Sequence, residues 1–400
     1  MITLVNLVGV IITALLYSIV IKQYTIKINH VSIFTSIWFS LIIFSQLIDE
    51  IYTPEIQTII LYYIVLFVFL LSSIININQR NTISQNYNIQ KVKFVVYLLF
   101  VLTLIANLTL IVFLANKNFA FDQWYTLRSG EKRNIITGDS FLYNAFGRLY
   151  YLYIPLLIFL FKQKQISKKF FIIIVSLSFF LTLLNFTRAP IIQLSIITYV
   201  SYLYIYRVKV SILKLLLIAL SLLGVYIFVQ IILNEYNNAS NNVFEDIKLY
   251  IFGGFKSYEL IINDLYVDSY ENNSSMYSLD FLNYILSKLS IIDKYPSYVR
   301  NYNLSLNTNV YTFLDAFTLD FGIIGAIITA FLYGFIPKKI YKIYILKNTL
   351  FSTTIYSLLC YYSFMIFMNN ELIRINFLLY FIEMLLIENF IRNGRIKKGY

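Results

Sequence analysis

Residues 2–21 pass twenty consecutive positions without a charged side chain. As an α-helix such a run is about 30 Å long, the thickness of a bilayer's hydrocarbon core. Comparable apolar runs recur at 31–48, 57–76, 94–116, 142–161, 170–187, 190–206, 213–233, 316–336, 349–368 and 375–391. A soluble domain carries about 25% charged residues; this chain carries 13%, with 59% hydrophobic residues. That balance excludes an ordinary soluble enzyme, and it is equally foreign to a disordered chain, which is poor in apolar residues. The pattern predicts an all-α polytopic membrane protein with about 11 transmembrane helices. The first run has no basic lead-in and no small-residue cleavage signature, so it is expected to remain as a span and not to be removed as a signal peptide.

Orientation follows from the basic residues of the short loops. One set of alternate loops holds Lys22 and Lys27; Arg80, Lys91 and Lys93; Lys162, Lys164, Lys168 and Lys169; and Arg207, Lys209 and Lys214. It ends with Lys338, Lys339, Lys342 and Lys347, then the tail Arg392, Arg395, Lys397 and Lys398. These are 20 of the 32 basic residues, and Glu388 is the one acidic residue beside them. This face is expected to be cytoplasmic, with the N-terminus outside and the C-terminus inside. The net charge of +12 is then a lysine rim facing anionic headgroups, and no basic domain remains for nucleic acid.

The outer face carries nearly all the acidic residues and two long loops, 117–141 and 234–315. The chain therefore divides into a bundle over 1–233, a large loop over 234–315, and a last group of spans with a basic tail over 316–400. Within the large loop, Leu279, Leu282, Ile285, Leu286 and Leu289 recur at helical spacing, with Asp280, Asn283, Ser287 and Lys288 on other faces. That is an amphipathic helix, lying on the outer membrane surface or covering a cavity.

Of ten arginines, six are expected on or near the outer face: Arg128, Arg133, Arg148, Arg188, Arg300 and Arg374. A guanidinium holds phosphate through two parallel hydrogen bonds and stays charged at any relevant pH, so the set points to an anionic ligand, a pyrophosphate above all. Salt bridges to the outer carboxylates are the plainer reading. Arg188 sits in the tight hairpin Asn185-Phe186-Thr187-Arg188-Ala189-Pro190, and Arg148 in Phe146-Gly147-Arg148-Leu149 inside the fifth span. A charge at membrane depth is costly and normally faces the bundle interior; snorkelling to the headgroups is the alternative. Pro190 suits the first turn of the returning helix.

The third cluster is Asn307-Thr308-Asn309-Val310-Tyr311-Thr312-Phe313-Leu314-Asp315, leading to Asp320-Phe321-Gly322-Ile323-Ile324-Gly325. Asp315 and Asp320 would stand at the mouth of the bundle, where a carboxylate could take a proton from a sugar hydroxyl. Gly322 and Gly325 would let helices approach closely. Gly253-Gly254 before Phe255-Lys256-Ser257-Tyr258-Glu259 reads as a helix break. Asn369-Asn370-Glu371 with Arg374 reads as a tight outer turn with its own ion pair. One histidine, His30, and one cysteine, Cys360, leave little for a His/Cys metal site and exclude an internal disulfide. No metal and no cofactor is expected.

Many spans, a large outer loop before the last three, the Thr-Arg-Ala-Pro hairpin and the Asn-Val-Tyr-Thr … Asp-Phe-Gly-x-x-Gly stretch together resemble the Wzy-type O-antigen polymerases. At residue level the resemblance covers about 185–190 and 307–325. It implies a GT-C-like glycosyltransferase of a bacterial inner membrane, its active site facing the periplasm. Such an enzyme transfers a growing glycan from undecaprenyl pyrophosphate to a new lipid-linked repeat unit, without nucleotide sugar. The partners implied are the undecaprenyl-pyrophosphate-linked donor and acceptor, membrane lipids, and a chain-length regulator protein. Arg188 would then be central, with Arg148, Arg128, Arg133, Arg300 and Arg374 as further pyrophosphate ligands. Asp320 or Asp315 would be the base, and Tyr311 and Thr312 would orient a sugar. The absence of an outer histidine argues against the related glycan ligases. A flippase for the same lipid-linked oligosaccharide is the rival from another class, although repeat symmetry and short loops on both faces would be expected of it.

Overall fold

A computed structural model of the chain describes residues 2–48, 53–74, 86–118, 143, 146–184, 188–208, 243–263, 277–292, 312–368 and 370–392. Among the described residues the regular structure is helical and no strand occurs; Tyr87 and Arg392 form an isolated bridge. The α-helices, in chain order, are α1 (Ile2–Ile21), α2 (His30–Ile48), α3 (Ile56–Ser72), α4 (Ile89–Ala106), α5 (Leu108–Asn116), α6 (Tyr150–Lys162) and α7 (Lys168–Leu183). They continue with α8 (Arg188–Tyr206), α9 (Val243–Ile262), α10 (Asp280–Lys288), α11 (Asp315–Lys347), α12 (Leu350–Phe364) and α13 (Ile375–Ile391). Among the described residues, six segments are long and apolar enough to cross a membrane: α1, α2, α4, α8, α11 and Leu350–Phe367. Large apolar side chains stand exposed along α1, including Leu4, Leu7 and Leu15. That much exposed apolar surface is foreign to a protein in water and suits one surrounded by lipid.

Several expected spans change their bounds, each for a local reason. The run 94–116 is two helices, because Asn107 turns its side chain amide to Thr103 O and Gly147 O and the chain restarts at Leu108. The run 142–161 is interrupted by a turn at 147–149: Tyr143 and Phe146 are helical, and α6 begins at Tyr150. The run 316–336 extends to Lys347, so Lys338, Lys339, Lys342 and Lys347 are not a loop but the last turns of α11, where cations suit the helix C-terminus. The run 213–233 lies outside the described residues.

The chain forms two compact units: unit 1 is Met1–Gln79, Asn241–Lys342 and Leu359–Phe381, and unit 2 is Arg80–Ser240, Ile343–Leu358 and Ile382–Tyr400. In unit 1, α2 packs against α1, α3 and α9. The region read as a large outer loop therefore contributes a core helix: Phe255 and Tyr258 of α9 are fully buried. Phe255 lies 4.6 Å from the Trp38 ring and 4.3 Å from Tyr62, and Trp38 meets Phe313 at 5.1 Å. The Gly253-Gly254 pair does not break α9; the helix runs through it, and Ser257 Oγ donates to Gly253 O. His30 is buried edge-on between Tyr24 and Phe69, as a structural side chain.

In unit 2, α6 packs against α4, α7 and α8. It is apolar nearly all round, as a central helix must be, and every residue from Tyr150 to Ile158 is buried. Elsewhere in unit 2, Tyr87 Oη donates to Glu388 Oε1 at 2.8 Å, and Glu388 Oε2 accepts from Phe351 N at 3.1 Å. Leu350 N donates to Tyr87 Oη, so the starts of α4 and α12 and the end of α13 meet there. Burial, with Glu388 beside it, keeps the Tyr87 phenol protonated well above the ordinary tyrosine range. The solitary acidic residue of the basic face thus caps a helix start, where a carboxylate meets the dipole favourably.

Candidate functional site

Unit 2 brings two of the expected arginines to one end. α6 and α8 pack side by side with their C-terminal ends together, and so run parallel. Their C-terminal ends are joined, Lys162 Nζ donating to Ile205 O at 2.5 Å. Arg148 lies two residues before the start of α6 and Arg188 opens α8, so both belong to the N-terminal ends of these helices. Arg188 opens α8 as its first residue; its side chain lies outside the described atoms.

The turn carrying Arg148 is held through its backbone. Asn107, wholly buried in what sequence alone reads as an unbroken span, donates to Gly147 O at 3.0 Å. Gly147 N in turn donates to Tyr143 O at 2.9 Å, and a Cβ at Gly147 would come within 2.5 Å of that same oxygen. A larger residue would push the turn off Tyr143. Arg148 itself is half-buried and acts electrostatically on Tyr150. Asn107 is a residue that sequence reasoning missed, although a polar amide inside an apolar run was the signal for it.

Unit 1 gathers the acidic residues, and it uses them to hold backbone. Thr312 N and Thr312 Oγ1 both donate to Asp315 Oδ1, and Leu314 N donates to Thr312 Oγ1 at 3.3 Å. This is the reciprocal cap of a Thr-x-x-acid helix start. Asp320 Oδ1 accepts from Tyr277 N at 2.9 Å and Asp320 Oδ2 from Ser278 N at 2.6 Å, so Asp320 ties the turn before α10 to α11. Glu259 is buried; its Oε2 accepts from Glu55 N at the start of α3 at 2.6 Å, and its Oε1 from Lys256 Nζ at 2.5 Å. Lys256 also donates to Thr53 O. Glu259 and Asp315 are both close enough to Tyr62 to act on it electrostatically.

Further neutral bonds close this end of unit 1. Asn370 Nδ2 donates to Phe313 O, Tyr333 Oη donates to Asn370 Oδ1, and Phe313 N donates to Ile366 O. Tyr258 Oη and Thr318 Oγ1 share a bond of 2.9 Å. Arg374 stands half-buried just before α13.

The glycines of the Asp-Phe-Gly-x-x-Gly stretch do something other than admit a neighbouring helix. Gly322 has φ 60° and ψ −150°, a conformation reserved for glycine, and it breaks α11 into two segments. A Cβ at Gly325 would lie 1.8 Å from Phe317 O, so the backbone across that break folds onto Gly325. Arg128, Arg133, Arg300 and Tyr311 lie outside the described residues, as does the Glu371 side chain expected to pair with Arg374.

Compared with known proteins, the chain matches no protein family, no curated protein and no solved structure.

Proposed function

We propose that this chain polymerises a lipid-linked oligosaccharide at the end of unit 2 where α6 and α8 begin. The observation that carries this reading is the placement of Arg148 and Arg188 at that end by two parallel, packed helices. The acceptor sugar hydroxyl attacks the anomeric carbon of the donor glycan; its C–O bond to undecaprenyl pyrophosphate breaks, the pyrophosphate leaves with the electron pair, and the hydroxyl proton passes to an oxygen of that departing pyrophosphate. Guanidinium groups aimed at that leaving group stabilise the charge that develops on it. The N-terminus of α8, opened by Arg188 and followed by Pro190, adds backbone N–H donors for the same anion.

Asp315 and Asp320, expected as bases, accept bonds that shape unit 1, and in this reading they are anchors. The orientation follows the lysine rim, so that this end faces the periplasm.

Deleting the gene is expected to leave lipopolysaccharide capped with a single repeat unit. Complete loss of the repeat would favour the flippase. Arg188→Lys keeps the charge and loses the fork; its chain growth is expected to fall about 100-fold while the protein still inserts. Normal chain length in that variant would remove Arg188 from the mechanism.

A further inference from the structure

Helix α10 is amphipathic, but it is turned inside out for a protein in water. Asn283 is 4% exposed, Ser278 of the preceding turn 3%, and Asp320 grips the backbone of that turn, while Lys288 stands exposed at the C-terminal end of the helix. Its apolar features point outward: Leu282 and Ile285 are exposed, Leu289 is 63% exposed, and Ile291 just beyond is 65%. The alternation seen in the sequence is therefore real, with its faces exchanged relative to a helix packed on a soluble core.

The outward face is not isolated. Asp320, which holds the start of α10, is followed directly by Phe321, Ile323 and Ile324 on α11, all exposed. Ile323 and Ile324 open the segment of α11 after the Gly322 break, and Phe321 closes the one before it; α11 is apolar and long enough to cross a membrane, and its exposed apolar side chains adjoin the residue that holds the start of α10. The break at Gly322 falls in the middle of this patch.

We infer that α10 is an interfacial anchor whose outward face is occupied by the acyl chains of bilayer lipid, in the leaflet surrounding the N-terminal end of α11. Lipid takes the exposed apolar side chains, unit 1 takes Asn283 and Lys288 reaches the headgroups and water, so the helix lies along the membrane plane about 5–10 Å into the headgroup boundary. The Asp320 tether sets its depth. This inference requires only that the chain sits in a membrane; it does not depend on the polymerase reading.

The chain's one cysteine, Cys360, is buried, so single-cysteine proteins are easily made. In a Cys360→Ser background, Ile285→Cys, Leu289→Cys and Lys288→Cys would each be labelled with bimane. The full chain would then be reconstituted in phosphatidylcholine vesicles with or without brominated acyl chains. At 285 and 289 the expected result is several-fold stronger quenching by brominated lipid than by aqueous iodide, with the reverse at 288. Stronger iodide quenching at 285 and 289 would place the face in water and overturn the inference. Insensitivity to both quenchers would show protein covering it, and would overturn it equally. Loss of glycan polymerisation is not the readout, so failure of the functional proposal would leave this result standing.

Discussion

Unit 1 holds its backbone with charged groups, and unit 2 holds its arginine turn with a neutral amide. In unit 1, Glu259, Asp315 and Asp320 each accept backbone N–H bonds at the start of a helix or turn. In unit 2, Gly147 is fixed through its carbonyl by Asn107. The acidic residues that look catalytic by composition accept backbone N–H bonds in unit 1, while the turn that carries Arg148 is held at the Gly147 carbonyl. Glu388 of unit 2 follows the acidic rule as well, receiving Phe351 N at the start of α12.

The largest expected effect breaks the charged side of the comparison. Lys256→Ala leaves Glu259, whose side chain is 4% exposed, without its cation, and should destabilise the detergent-solubilised protein by about 3–5 kcal/mol. Replacing both partners, as Lys256→Met with Glu259→Met, should recover much of that loss; a thermal-unfolding series checks both. Asp320→Ala removes two charge-assisted bonds and should cost about 2–3 kcal/mol. It should also raise protease cleavage within 277–292, while the surviving protein still extends glycan. Loss of activity at unchanged stability would instead make Asp320 catalytic and erase the contrast between the units.

Asn107→Ala tests the neutral side. It should cost about 1–2 kcal/mol yet lower chain growth as Arg148→Lys does, and the two changes combined should be less than additive. Full activity in Asn107→Ala would show that the turn needs no amide to place its arginine. Tyr87→Phe removes the hydroxyl's bond to Glu388 and the bond it accepts from Leu350 N, while Glu388 keeps Phe351 N; about 1–2 kcal/mol in unfolding assays and no change in glycan length are expected.

Read from the sequence, Asp315 and Asp320 are candidate bases and Gly253-Gly254 a helix break, although the spacings that the structure uses are local. Thr312-x-x-Asp315 is a helix-start signature as written, and Lys256 and Glu259 are spaced to pair on one turn. What the residues do not state is that Glu259 reaches Glu55 N, because that bond joins positions 204 apart. Asn107 and Gly147 are 40 apart, and neither belongs to any local pattern that names the other. Gly322 and Gly325 advertised small size, but only the backbone reveals that one supplies a glycine-only conformation and the other receives Phe317 O.

The sequence by itself determined that the chain is helical and apolar enough for membrane, where most helices run, and that α10 has two unlike faces. Apolar length and periodicity are local properties, and every backbone group buried in lipid must find its partner within its own helix. Tertiary structure alone decided which face of α10 turns outward, which acids hold backbone, and which two arginines share an end. Those outcomes depend on how separate helices pack, and side-chain spacing along one helix carries no record of its neighbours.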